Sequence, residues 1–143
     1  MAERAMAGGA HLVDDTYNAN PQSMRSALES LVRLTGDGRS VAILGDMGEL
    51  GETSAAAHRQ VGQLTAELGI DQLFVLGSHA RRVAEGAQAA GMEADRVHIE
   101  EGHTQVGESV QAFVQAGDWV LVKGSRAMQM ERLVNILAAE EKN

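Results

Sequence analysis

Three runs in this chain are apolar throughout: Val41-Ala42-Ile43-Leu44, Leu73-Phe74-Val75-Leu76 and Trp119-Val120-Leu121-Val122. A strand with one face in water alternates polar and apolar residues, so a continuous short run marks a strand covered on both faces. The expected strands are His11–Asp15, Ser40–Leu44, Gln72–Leu76, Arg96–Ile99 and Trp119–Val122. The Val97-His98-Ile99 run alternates and belongs nearer a sheet edge. Between and after the strands, apolar residues recur at helical spacing: Met24, Leu28, Leu31 and Val32; Ala57, Val61, Leu64 and Leu68; Val83, Ala84 and Ala87; Val106, Val110, Phe113 and Val114; Met130, Leu133, Val134 and Leu137. Asn20-Pro21 marks a helix start, Ser78 and Ser125 are expected caps, and Gly36, Gly69 and Gly91 are expected stops. Strict β/α alternation with short connections implies an α/β, three-layer, doubly wound and mainly parallel sheet of five or six strands, with helices on both faces. The strand order is not legible from these patterns.

Composition removes several function classes. The net charge of −8 opposes binding by phosphate neutralisation, and Tyr17, Phe74, Phe113 and Trp119 are too scattered to form a base-stacking platform. Nucleic acid is therefore not an expected partner. No apolar run is long enough to span a membrane, and Met1–Ala10 lacks the apolar stretch of a secretory signal. With no cysteine, disulfides and thiolate sites are excluded, and a cytoplasmic location is expected. His11, His79, His98 and His103 lack metal-ligand spacing, so no metal site is expected. His58 falls beside an apolar stripe and reads as a packed or capping histidine. Met24, Met128 and Met130 read as core.

In doubly wound sheets, ligands bind outside the carboxyl ends of the strands. Those ends carry Asp14-Asp15-Thr16-Tyr17-Asn18-Ala19-Asn20-Pro21, Gly45-Asp46-Met47-Gly48-Glu49-Leu50-Gly51, Gly77-Ser78-His79 and Lys123-Gly124-Ser125-Arg126. The first segment holds more carboxylates, carboxamides and phenol than a turn requires. In the second, Asp46 and Glu49 have two readings: helix N-terminal charge, or acceptors for an ammonium group or hydroxyls. The glycine spacing is not that of a dinucleotide loop. In the last, two cations beside a helix start suit a carboxylate or phosphate, or a salt bridge to Asp14 or Asp15. The Gly-x4-Gly-Lys frame of a triphosphate loop is absent.

Taken in order, DDTYNANPQSM, VAILGDMGELGE, His58-x-x-Val61-Gly62, LFVLGSHA and VLVKGSRAMQME resemble the C-terminal domain of the Mur ligase family, from about Asp14 to Glu131. The first two segments point to the branch that joins D-alanyl-D-alanine to UDP-N-acetylmuramoyl-tripeptide in peptidoglycan synthesis. The resemblance implies an ATP- and Mg²⁺-dependent amide-bond ligase whose central domain activates the tripeptide carboxylate as an acyl phosphate. The C-terminal domain would close over it and bring the dipeptide. Asp15 then corresponds to the carboxylate that meets the ATP ribose, with Tyr17 a second member. Asn18 and Asn20 correspond to dipeptide-side contacts. Ser125 and Arg126, with Lys123, correspond to the region holding the incoming carboxylate. A dipeptide zwitterion also needs an acidic contact, and Asp46 or Glu49 opposite Arg126 would supply it. No residue of this domain is expected to be catalytic.

Residues 1–10 are expected to be the remnant of an interdomain linker and residues 11–143 the domain itself, a monomer that works with N-terminal and central domains not contained in it. Alone, the chain is expected to fold, bind no cofactor and ligate nothing. Two rivals are a stand-alone nucleotide-binding module and a receiver-like regulatory domain. The latter shares Asp14, Asp15 and Lys123 at strand ends, but its third strand would end Leu76-Gly77-Ser78 with no aspartate to phosphorylate.

Overall fold

A computed structural model describes residues 1–138, so the last five positions of the expected domain, 139–143, lie outside the described residues. The strands are β1 (Ala2–Ala5), β2 (His11–Asp15), β3 (Ser40–Leu44), β4 (Gln72–Val75), β5 (Val97–Ile99) and β6 (Trp119–Lys123). The helices are α1 (Pro21–Thr35), α2 (Ser54–Glu67), α3 (Ala80–Ala89), α4 (His103–Phe113) and α5 (Glu131–Leu137). Together the strands form one sheet in the order β1-β2-β6-β3-β4-β5. Every pairing is parallel except β1 with β2.

The continuous apolar runs occupy β6, β3 and β4, inside the sheet, and the alternating β5 lies at its edge. Strand residues divide between two cores by parity. Val13, Ala42, Leu44, Leu73, Val75 and Leu121 pack beneath α1, α2 and α3. Leu12, Val41, Ile43, Phe74, Val120 and Val122 face α4 and α5. Both faces are covered, which is why these strands carry no polar alternation.

Local signals explain most boundaries. The Asn20 side chain accepts from the Ser23 N–H at 2.8 Å, and the Ser23 hydroxyl accepts from the Asn20 N–H at 3.0 Å, closing a capping box ahead of Pro21. Gly36, Gly69 and Gly91 follow their helices at positive φ. We expect Asn20→Ala to cost about 1 kcal/mol, read as a lower urea midpoint with unchanged slope.

Four expectations are corrected. Ala2–Ala5, read as linker, pairs along β2 as an edge strand; its exposed residues carry no burial signal, so only the pairing reveals it. Val32 is exposed, because the helical stripe of α1 is narrower than its apolar spacing suggests. Ser78 makes no cap: the first turn of α3 is capped from another loop by Asp46. Ser125 precedes only a short 3-10 turn and makes no side-chain cap.

Candidate functional site

The topology marks two reversals on the carboxyl edge of the sheet, one around β6 and one between β4 and β5, and the loops after β2, β3 and β6 meet at the first. The chain leaves β2, β3 and β4 toward the core beneath α1, α2 and α3, but leaves β6 toward the opposite face. Since β6 lies between β2 and β3, its loop departs in the opposite sense from both neighbours. A crevice opens at such a reversal, and it is where open α/β sheets bind ligands.

Backbone hydrogen bonds hold the loops together there. Past the strand ends, Gly45 N–H donates to Lys123 O and Ser125 N–H donates to Asp46 O, both at 2.8 Å, so the β3 and β6 loops remain laddered. Gly48 N–H donates to Ala19 O at 3.4 Å, tying in the β2 loop. A side chain at Gly124 would meet Met130 Cγ at 2.7 Å and the Gly45 Cα at 3.3 Å. A larger residue at 124 would therefore have to displace Met130 and would crowd the β3 loop.

Beneath the crevice, Lys123 is 2% exposed. Its Nζ donates to Asp15 Oδ2 at 2.8 Å and to Asn18 O at 3.0 Å. Lys123 thus fastens the β2 loop onto β6. Read from sequence as a substrate contact, it is instead consumed internally, the salt-bridge alternative.

Above it, a cavity of about 640 Å³ is lined by Tyr17, Asn18, Asn20, Glu49, Ser125 and Arg126, together with Ala19, Gly48, Leu50 and Ala127. Tyr17 is 76% exposed. The Arg126 guanidinium lies 5.3 Å from its ring centroid, within cation–π range. Glu49 is exposed and has φ 59°, a left-handed conformation that a non-glycine residue adopts at a cost. Asn18 Oδ1 accepts the Ala19 N–H at 2.8 Å, and Asn20 Oδ1 serves the α1 cap, leaving their amide N–H groups as donors. The cavity thus offers a guanidinium, a carboxylate and amide donors, the complement of a small zwitterion.

A second depression of about 380 Å³ adjoins it, lined by Asp15, Asn20, Ser23, Ser26, Ser30 and Lys123. Only Oδ2 of Asp15 is taken by Lys123, and the side chain is 21% exposed, so the carboxylate keeps capacity to accept from a hydroxyl. That donor set fits a sugar. It does not fit a divalent cation: among the described residues, no group of three or more His, Cys, Asp or Glu side chains could hold one.

Asp46 does not line the cavity. Its carboxylate accepts the Ser78 and His79 N–H groups, both at 2.9 Å, which makes it the N-terminal charge of α3. Its expected ligand role is thereby reassigned to structure. We expect Asp46→Ala to cost about 1–2 kcal/mol in chemical denaturation, as a lost charged cap. Glu49→Gln, which removes an exposed charge, should leave stability within about 0.5 kcal/mol.

His58, the packed or capping histidine of the sequence reading, is 1% exposed. Its Nε2 accepts the Met47 N–H at 3.0 Å, and Nδ1 lies 2.6 Å from Ser54 O. Burial pushes its pKa below the ordinary 6.5; the Ser54 bond opposes this, His79 adds to it and Asp46 opposes it. Helical spacing places His58 on α2 but carries no sign of its partner in the β3 loop.

The receiver-like alternative fails on topology. Counted in chain order, the parallel strands run 1-5-2-3-4 rather than the 2-1-3-4-5 of that fold. A parallel α/β domain with loops converging at a topological reversal is a ligand-binding class, and comparison places it more finely. The family model described as "Mur ligase, glutamate ligase domain" matches residues 1–126, and the chain belongs to this family.

Among similar proteins, the UDP-N-acetylmuramoyl-tripeptide–D-alanyl-D-alanine ligase of Bacillus subtilis is 34% identical over 129 residues, covering 90% of this chain and 28% of the relative. A crystal structure of MurF from Acinetobacter baumannii superposes with TM-score 0.79 at 32% identity, covering 92% of this chain and 29% of that one. MurF ligase from Thermotoga maritima in complex with ADP gives TM-score 0.76 at 29% identity, covering 94% and 29%. The chain spans under a third of the length of these relatives.

Proposed function

We propose that this chain is the dipeptide-receiving lobe of an ATP-dependent ligase that adds D-alanyl-D-alanine to UDP-N-acetylmuramoyl-tripeptide in peptidoglycan synthesis. The observation that carries the reading is the presence of Arg126 and Glu49 in one cavity, together with the similarity to ligases of that name. A cavity of this size suits a small ligand with both termini charged. Arg126 receives the dipeptide carboxylate, Glu49 holds its ammonium group until the amine is presented, and Asn18 and Asn20 donate to its peptide carbonyl. Ser125 and Tyr17 wall the pocket, and Lys123 and Asp15 set the loop beneath it.

ATP, held by the remainder of the ligase, supplies the phosphoryl group that activates the tripeptide carboxylate. The part of this chain is limited to the ribose, which Asp15 can receive in the adjoining depression. Among the described residues no cluster of His, Asp or Glu side chains could hold magnesium. The lobe completes its site by closing against the domains that carry the activated tripeptide.

Titrating the labelled chain with D-alanyl-D-alanine is expected to move the amide resonances of Tyr17, Gly48, Glu49 and Arg126, and the L,L dipeptide to move them less. Arg126→Ala should weaken the response at least about tenfold, since a charged hydrogen bond contributes about 1.5–3 kcal/mol. Equal responses to both dipeptides, or responses confined to another face, would reject the assignment.

A further inference from the structure

The β3 loop supplies the acidic wall of the cavity, yet its peptide before Glu49 is anchored from beneath by a side chain with no access to the ligand. The ring of His58 lies between this loop and α2. Met47 N–H donates to Nε2 at 3.0 Å, which requires that nitrogen to be bare. Nδ1 therefore carries the proton and donates to Ser54 O at 2.6 Å. The ring stacks on His79 with centroids 4.3 Å apart, and Ser54 Oγ reaches His79 Nε2 at 3.2 Å. Asp46, beside Met47, is tied to the N–H groups of Ser78 and His79. One imidazole thus joins the loop after β3, the start of α2 and the start of α3. Two residues beyond its contact stands Glu49, at φ 59°.

We propose that His58 is a positioning residue for the cavity: its neutral Nδ1–H form holds the Met47 amide and thereby keeps Glu49 in the left-handed conformation in which it lines the cavity that also holds Arg126. This rests on the dipeptide reading only in what Glu49 is held for. A protonated ring would turn a second N–H toward the Met47 N–H, removing its acceptor and setting donor against donor. The titratable groups facing the ring are His79 from α3 and Asp46 from the β3 loop. The sign follows from the depressed pKa. Above about pH 6.5 the ring is neutral in both folded and unfolded chains, and the anchor is intact. Below it the unfolded chain takes up a proton first, so stability falls until the folded-state pKa is passed, and the loop loosens there.

The test is an amide-resonance pH series on the 143-residue chain, from about pH 8 to about pH 4.5, with hydrogen exchange at the upper end. Met47 and Glu49 should follow one titration with a midpoint below the ordinary histidine value, and D-alanyl-D-alanine affinity should fall with the same midpoint. His58→Leu should speed Met47 amide exchange at least tenfold while Ile43 and Val83 stay protected. His58→Gln, whose carboxamide oxygen can accept the same N–H, should restore protection and abolish the pH dependence. A Met47 amide blind to the His58 titration, or one still protected in His58→Leu, overturns the proposal. Since the wild-type series needs no variant, a misfolded mutant does not rescue it. If Met47 and Glu49 follow His58 but no dipeptide response occurs at Glu49, the positioning role stands and the dipeptide assignment falls.

Discussion

Gly62→Ala is expected to destabilise the domain by about 3 kcal/mol or more, despite introducing a better helix former. Ala is favoured over Gly within a helix by about 1 kcal/mol, so propensity alone predicts a gain. The steric term decides the sign. A Cβ on Gly62 would lie 1.9 Å from Val83 O and 2.8 Å from Ala87 N, and one on Gly86 would lie 2.0 Å from Arg59 O. These are backbone atoms of the facing helix, which cannot swing aside as a flexible side chain would. The α2 and α3 axes must separate, and Val61, Leu64, Val83 and Ala87 would lose packing in the core they share. Urea unfolding should show a lower midpoint, and Gln60→Ala, on the exposed face of α2, should change stability by less than about 0.5 kcal/mol. A Gly62→Ala chain as stable as wild type would mean that the helices cross less tightly than described.

Lys123→Met should cost about 2–3 kcal/mol. Removing one member of a buried pair typically costs about 3–5 kcal/mol, because the other charge is stranded. Here the loss is smaller, since the Asp15 side chain is 21% exposed and can recover water. Asn18 O loses its donor as well. Adding Asp15→Asn to Lys123→Met should recover more than half of the loss if the stranded carboxylate is its main source. Urea denaturation of the two single variants and the double variant measures that coupling. If the double variant is no more stable than Lys123→Met alone, the cost lies in packing of the lysine stem. Dipeptide response should weaken in Lys123→Met even where the chain remains folded, because Tyr17 and Asn18 sit on the segment Lys123 holds.

The β3, β4 and β6 strands were readable as sequence because burial on both faces removes polar residues from a run, and hydrophobicity is a property of the residues themselves. The α1 start was readable for a similar reason: Asn20, Pro21 and Ser23 satisfy one another within a few positions. The rim location followed from the rule that β/α loops gather at the carboxyl edge. Asn18, Asn20, Glu49, Ser125 and Arg126, expected as substrate contacts, share one cavity, and Tyr17, expected beside Asp15 on the nucleotide side, lines that cavity rather than the adjoining depression that Asp15 lines.

What the chain order could not convey is pairing between distant parts. Asp46 and Glu49 are equivalent in sequence, acids in one glycine-rich loop. One is consumed by α3 more than thirty residues away, and the other is left facing the cavity. Lys123 and Arg126 divide in the same way, one buried against Asp15 and one exposed beside Tyr17. His58 looked like a core histidine and is one, yet its acceptor nitrogen meets a loop amide. The edge strand β1 exists only because β2 offers it free backbone groups. Side-chain chemistry and local periodicity, both short-range, thus determined the element types and the polar rim, while the order of whole motifs along the chain carried the resemblance to the family. The strand order, and with it the choice of which charge is paired and which is available, was decided by tertiary packing, because an ion pair or hydrogen bond depends on separation in space rather than along the chain.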